Sequence, residues 1–428
     1  MIHSPELIKV MPPQNQSMID PMRRLALLAV LLTAGCAVPL GPAGQAVGDC
    51  SALAGCPTCP VCPAPPAGTQ RVNPLEPVDF AAVTGWKSGE QAAAWPALLA
   101  SCQALRWREA WRGVCAKAME LRSPSDEEAR RFLEEQFTPW RLANVDGTLD
   151  GLVTGYYEPV LRGSRTKLAP FVHPLYGPPD DLLTIELSAT NPELRGMRLR
   201  GRVEGKRVVP YYTRAEIARG TAPVAGKEIL WVDDPIEAFF LQVQGSGRIQ
   251  LASGETLRVG YADQNGHPFQ SIGRFLVERG ELKLGEASMQ SIKSWAAANP
   301  QRVEDLLDQN PSFVFFRELP LADPASGPVG AFGVPLLAGR SIAVDTRYVP
   351  LGAPVFLATT FPSSTTPLTR LVLAQDAGGA IRNPVRADFF WGLGAEAGAQ
   401  AGRMRQQGRM WTLLPKGLKP ASAGVASP

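Results

Sequence analysis

A mostly β fold with several short helices, divided into two domains, is what the sequence predicts, and three observations carry the prediction. Apolar residues come in short runs such as Leu371-Val372-Leu373-Ala374, which have the length of buried strands rather than of helices. The chain holds 41 Gly and 40 Pro, a turn-forming load in which Pro is well above ordinary usage. Its 428 residues leave room for two to three domains and a sizeable core. The formal charge of +3 comes without a long basic run, so nothing points to nucleic acid.

The N-terminus reads as an export address. Met22-Arg23-Arg24 is a positive n-region, and Leu25 to Leu32 is the apolar run that follows it. That run is far too short to span a bilayer and fits a signal peptide. Thr33-Ala34-Gly35-Cys36 then places small residues before a cysteine, like a bacterial lipoprotein cleavage site, although Thr33 stands where leucine is commoner. The targeting logic begins at Met22, so residues 1–35 are expected to form the targeting region and Cys36 the lipidated start of the mature chain. Residues 36–75 are rich in Pro, Gly and Ala and are expected to be a tether. They carry Cys50, Cys56, Cys59 and Cys62 at spacings like those of zinc or iron–sulfur ligands. In an oxidising compartment disulfides are the default, so no metal is expected there.

Helical periodicity follows, with Trp95, Leu98, Leu99, Cys102, Trp111, Cys115 and Met119 on one face of the stretch 90–121. Cys102 and Cys115 are the cysteines of the globular part, and a disulfide between them suits the compartment. Ser123-Pro124-Ser125-Asp126 reads as a helix start with a serine cap and Pro in the first turn. Strands are expected at 151–161, where Tyr156 and Tyr157 must face opposite sides, and in a hairpin over 202–209 about Glu204-Gly205-Lys206. Asp234-Pro235 starts a short helix, and 242–251 is expected to return as strand–turn–strand through Gly245-Ser246-Gly247. Short helices are expected over 271–279, 286–298, 300–308 and 395–406, and strands over 312–319, 340–344, 355–358, 371–374 and 410–414. Residues 416–428 are expected to be a tail.

The chemistry is narrowed by what the mature chain lacks. His173 and His267 are its two histidines and sit in no ligand-like cluster, which rules out a multi-histidine metal site and disfavours a Ser-His-Asp hydrolase. Gln244-Gly245-Ser246-Gly247 runs on into a strand, so it is not a phosphate loop. Carboxylates, tyrosines and amides remain, the residues of carbohydrate chemistry. Asp376 closes the apolar run 371–374 and is followed by Gly378-Gly379, which permit a backbone turn that side chains would block. A second acid, Asp388, stands twelve residues on. Capping of a turn is the plain alternative for Asp376.

Three blocks together resemble one family. TGYYEPVL (154–161), WVDDPIEAFFLQVQGSGRIQL (231–251) and the segment from AVDTRYVPLGAPVFL through AQDAGGAIRNPVRADFFWG occur in the order of the membrane-bound lytic murein transglycosylase A family. The resemblance implies a double-psi β-barrel built from 76–171 and 310–415, a second β-barrel domain inserted as 172–309, and a substrate groove between them. It implies cleavage of the β-1,4 bond between MurNAc and GlcNAc in peptidoglycan, leaving 1,6-anhydro-MurNAc ends, with no cofactor and no metal. Asp376 matches the single acid/base. Asp388, Asp345, Gly378 and Gly379 match positions that place substrate or tune that acid, with a turn role for Asp345 equally open. Thr154, Tyr156, Gln242, Gln244, Ser246 and Gly247 are the expected sugar-binding positions; Glu158 departs from the family's pattern, and Trp391 either stacks on a sugar or packs in the core. Expected partners are peptidoglycan strands, outer-membrane lipid through acylated Cys36, and cell-wall synthesis or division proteins. The expected location is the periplasmic face of the outer membrane. Simple hydrolysis, with Asp388 activating water, and non-catalytic peptidoglycan binding are the alternatives.

Overall fold

The computed structural model describes residues 73–420 except 192, 193, 195, 196, 198 and 322. The signal region, Cys36, Cys50, Cys56, Cys59 and Cys62, the tether up to residue 72 and the tail from 421 lie outside the described residues.

The chain enters through β1 (Leu75–Pro77) and a helical layer of α1 (Trp95–Leu105), α2 (Glu109–Glu120) and α3 (Asp126–Gln136), then β2 (Phe137–Leu142) and β3 (Gly151–Glu158). Helix α3 starts later than Pro124 suggests, because Ser125 is the cap and forms a capping box with Glu128. A disulfide joins Cys102 of α1 to Cys115 of α2. The next strands are β4 (Val160–Ser164), β5 (His173–Tyr176), β6 (Leu183–Ile185), β7 (Leu199–Glu204) and β8 (Arg207–Pro210). After them come α4 (Arg214–Ala218), β9 (Glu228–Val232), α5 (Pro235–Gln244), β10 (Ser246–Leu251) and β11 (Thr256–Gln264). Asp234 caps α5, accepting from the Ile236 and Glu237 amides at 2.8 and 3.2 Å. The expected strand at 242–244 is instead the last turn of α5, which stops at Gly245 in the left-handed region, φ 80°.

Helices α6 (Ile272–Glu278), α7 (Met289–Ala298) and α8 (Val303–Asp308) lead to β12 (Val314–Leu319). The chain ends with β13 (Ser341–Val344), β14 (Pro354–Thr360), β15 (Pro367–Asp376), β16 (Arg386–Leu393), α9 (Gly394–Ala401) and β17 (Arg405–Pro415). Residues 405 and 406 thus belong to a strand and not to the last helix.

One sheet has the order β1-β2-β17-β14-β15-β13-β16-β3, and β3 also pairs with β17, so six strands close into a ring. Within it β13 runs parallel to β15 and β16 parallel to β3. Ile342, Val355, Val372, Ala374, Phe389, Met404 and Met410 fill the ring's interior. Helices α1–α3 cover its outer face, packing Leu98, Leu105 and Phe132 against Phe356, Leu373 and Leu413. A second sheet has the order β12-β11-β10-β4-β9-β5, and β6-β7-β8 form a small third one. The second sheet therefore takes strands from Val160 to Leu319, wider than the expected insertion of 172–309. Strand β4 is needed between β10 and β9, and β12 completes the edge beside β11.

Candidate active site

Strand register builds the site. Ala343 on β13 lies opposite Asp376 on one side and Asp388 on the other, Asp388 lies opposite Thr154, and Thr154 opposite Arg405. Residues opposite one another share a face of the sheet, so both acids and Thr154 project outward from the barrel. Asp376 does so because the pairing of β13 with β15 slips between Ile342 and Ala343, skipping Gln375. Without that bulge strict alternation would turn Asp376 to the opposite face. Gln375 is fully buried and held by Ser341, Ser101 and the Ala97 carbonyl at 2.6, 3.0 and 2.8 Å.

The Asp376 carboxylate accepts from the Tyr156 hydroxyl at 3.0 Å and from the Ala331 and Ala377 amides at 2.8 and 2.9 Å. Burial pushes its pKa up from the ordinary value, and these three donors pull it part of the way back. Asp388 accepts from Thr154 Oγ1 at 2.6 Å, and that hydroxyl accepts from Arg386 at 2.9 Å. Burial also pushes Asp388 up; the Thr154 bond and Arg386 oppose this, while the charge of Asp376 adds to it. Tyr156 is held neutral, its pKa raised well above the usual phenol value by burial and by both carboxylates. On the opposite face of β3, Tyr157 packs under α9 and contacts Met289 Sδ at 3.6 Å.

A loop that the sequence reading passed over completes the site. Its tip gives the Ala331 N–H to Asp376 and the Phe332 N–H to the Gln375 carbonyl at 3.0 Å. Its root is tied down by Glu158, which is fully buried between Arg248 and Arg258, with Nε–O distances of 3.1 and 2.8 Å. The same two arginines donate to the carbonyls of Pro324 and Ser326. Thr154, Tyr156 and Glu158 thus hold three parts of the site from one face of one strand, a period-2 signal present in TGYYE.

Other expected site residues are placed differently. Asp345 is buried and binds Arg347 at 2.5 Å and the Asn383 amide at 2.9 Å. Burial raises its pKa, but the Arg347 and Asn383 bonds outweigh that and leave it below the ordinary value. It orders the loops beside β13, the turn role. Gln242 is buried, its oxygen taken by Arg214 at 2.7 Å. Gln244 accepts the Tyr157 amide at 3.0 Å, joining α5 to β3. Gly247 is a packing glycine, since a Cβ there would stand 2.4 Å from Leu241, and Ser246 is partly exposed at the start of β10. Gly378 and Gly379 have no left-handed φ, and a Cβ on Gly379 would meet open space. The turn does not require them; they leave the backbone beside Asp376 uncovered. Trp391 packs on Phe389 and Phe361 and donates to Met404 Sδ at 3.2 Å. Among the described residues no cluster of His, Cys, Asp or Glu has metal-binding form, and no helix is long and apolar enough to cross a membrane.

Residues 152–317 match the MltA specific insert domain, and 340–414 match the 3D domain. The chain is 34% identical over 283 residues to membrane-bound lytic murein transglycosylase A of Escherichia coli K12, covering 64% of this chain and 68% of that protein. A crystal structure of MltA from Neisseria gonorrhoeae is 41% identical with a TM-score of 0.70, over 81% of this chain and 94% of that one. The lytic transglycosylase LtgG of Burkholderia pseudomallei is 50% identical with a TM-score of 0.57, over 81% and 96%. E. coli MltA with bound chitohexaose is 28% identical with a TM-score of 0.62, over 80% and 94%.

Proposed function

We propose a reaction from one premise: the chain belongs to the membrane-bound lytic murein transglycosylase A family and is a peptidoglycan lytic transglycosylase. The bond cleaved is the β-1,4 link between MurNAc and GlcNAc, and the products are 1,6-anhydro-MurNAc ends. The closed six-strand ring with its two parallel pairs supports the double-psi form of barrel, and glycan lies along the face that carries Asp376, Asp388, Thr154 and Tyr156.

Asp376 is the acid/base. Its raised proton affinity is the observation that carries this assignment, because a general acid must hold its proton until the leaving oxygen needs it. Protonation of the GlcNAc oxygen breaks the bond to the anomeric carbon. The carboxylate so formed takes the proton of the MurNAc C6 hydroxyl as that oxygen closes on the same carbon. Tyr156 and the Ala331 and Ala377 amides hold the carboxylate in place through both steps. Asp388, bridged by Thr154 to Arg386, carries negative charge near the developing oxocarbenium. The hydroxyl nucleophile belongs to the substrate, so attack is intramolecular and no base beyond the Asp376 carboxylate is required.

Digestion of sacculi in ¹⁸O-labelled water tests the route. New ends free of label and in anhydro form are expected. Label in most new ends would mean hydrolysis, with Asp388 promoted to a base for water.

The relatives' description as membrane-bound supports anchoring. We place the anchor at acylated Cys36 and the enzyme at the periplasmic face of the outer membrane.

A further inference from the structure

The connection between α1 and α2 reads Arg106-Trp107-Arg108, and its indole is 78% exposed. Burial of large aromatics is the rule, so one presented this fully at a pinned turn invites a ligand. The turn is pinned because the Cys102–Cys115 disulfide joins the two helices close behind it. The Arg106 guanidinium lies over the Trp107 ring at 4.9 Å. Among the described residues no salt bridge joins a carboxylate to Arg106, Arg108 or Arg112, and Glu109 is the acid next to them in the chain.

The position matters as much as the composition. A Cβ on Gly352 would fall 2.9 Å from Leu105, the last residue of α1, and 2.6 Å from the Phe332 ring. Phe332 follows Ala331, whose amide holds Asp376. Leu105 therefore packs at the Asp376 end of β15, and Trp107 follows it by two residues.

We propose that this tip is a remote glycan-binding site: Trp107 stacks on a sugar ring of the strand being cleaved, and the arginines meet carboxylates of its stem peptides. The inference rests on peptidoglycan being the substrate. An aromatic face with a cation beside it fits an amphipathic pyranose ring carrying anionic branches. A lipid headgroup layer shares the preference for Trp and Arg, but the end of α1 that carries the tip packs beside the loop that holds Asp376, where a bilayer would compete with substrate.

The test compares the full purified chain with Trp107→Ala, Trp107→Phe and the double variant Arg106→Gln/Arg108→Gln. Trp107→Ala is expected to raise KM on intact sacculi roughly three- to tenfold, the range of one exposed aromatic contact. Its kcat stays unchanged, its turnover of a short muropeptide tetrasaccharide is unaltered, and Trp107→Phe recovers most of the loss. The arginine variant is expected to lose the preference for sacculi over peptide-stripped glycan. Unchanged KM in Trp107→Ala, or an equal rise on the tetrasaccharide, overturns the site. So does loss of binding to anionic phospholipid vesicles with sacculus binding intact. Retained preference in the arginine variant overturns the stem-peptide part. Anhydro ends released by the parent chain are scored in the same digests, so failure of the tip is distinguishable from failure of the proposed reaction.

Discussion

Asp376 and Asp388 are two carboxylates whose folded-state pKa values are raised chiefly by burial. A raised value means the folded chain holds a proton that the unfolded chain has released above its ordinary 3.8. Stability is then lost as pH climbs from near that value through the folded one. Asp388→Asn removes the titration and retains an oxygen to accept from Thr154. Its urea midpoint is expected to exceed the parent's at pH 7 and to approach it near pH 4, and an equal gap at both pH values would contradict the linkage. Activity follows Asp376 with the same sign, falling as pH rises through its folded pKa because the ionised acid cannot protonate a leaving group. Asp376→Asn should fold, bind glycan and lose about a hundred- to ten-thousand-fold in kcat, the usual worth of general acid catalysis; substantial turnover in the purified variant would exclude Asp376 as the acid. Asp376, Asp388, Thr154 and Tyr156 were legible in the sequence because each sits in a motif and ends on the same face. Gln242 and Gly247 lay in a motif too, but a buried Arg214 and the Leu241 side chain claim those positions; Arg214 is remote in sequence, and the packing of Leu241 on Gly247 depends on how α5 turns into β10.

Elements set where those residues point. The bulge at Gln375 aims Asp376 outward, and nothing in a period-2 reading of LVLAQD announces it. Strand β16 was also hidden, since Arg386-Ala387-Asp388-Phe389-Phe390 places charged groups where a buried strand is expected to be apolar. Its Phe389 enters the barrel while Asp388 and Arg386 form the outer face. The loop from 327 to 336 was invisible for another reason: it acts through backbone amides. Gly330 shows how little room that loop has, because a Cβ there would lie 2.5 Å from the Gln375 carbonyl oxygen. Gly330→Ala should push the Ala331 amide off Asp376 and lower kcat with little change in KM; a kcat equal to the parent's would show that the amide bond is dispensable. Glu158→Ala strikes the loop's root and strands two buried arginines. Removing one side of a buried ion pair costs on the order of 3–5 kcal/mol, so its denaturation midpoint should fall steeply. A midpoint near the parent's would mean that water reaches Arg248 and Arg258.

At the scale of the whole chain, the proposed anchor segment and the described part are assigned separate jobs. The closed barrel, the second sheet and the helical layer hold every residue of the proposed site, and among the described residues Asp376 is held by Tyr156, Ala331 and Ala377. Chemistry should therefore be independent of the anchor. A single acyl chain binds a bilayer only marginally, and stable attachment takes more than one, so losing the proposed anchor at Cys36, with every chain it would carry, should abolish attachment instead of weakening it by degrees. Cys36→Ala is expected to appear in the soluble periplasmic fraction with unchanged turnover of solubilised glycan. Its turnover of intact sacculi in cells would fall only as far as local concentration at the membrane helps the parent. If Cys36→Ala still sediments wholly with outer-membrane lipid, the anchor is elsewhere. If it is released but turns over solubilised glycan poorly, the tether shapes the site and the separation of jobs is wrong.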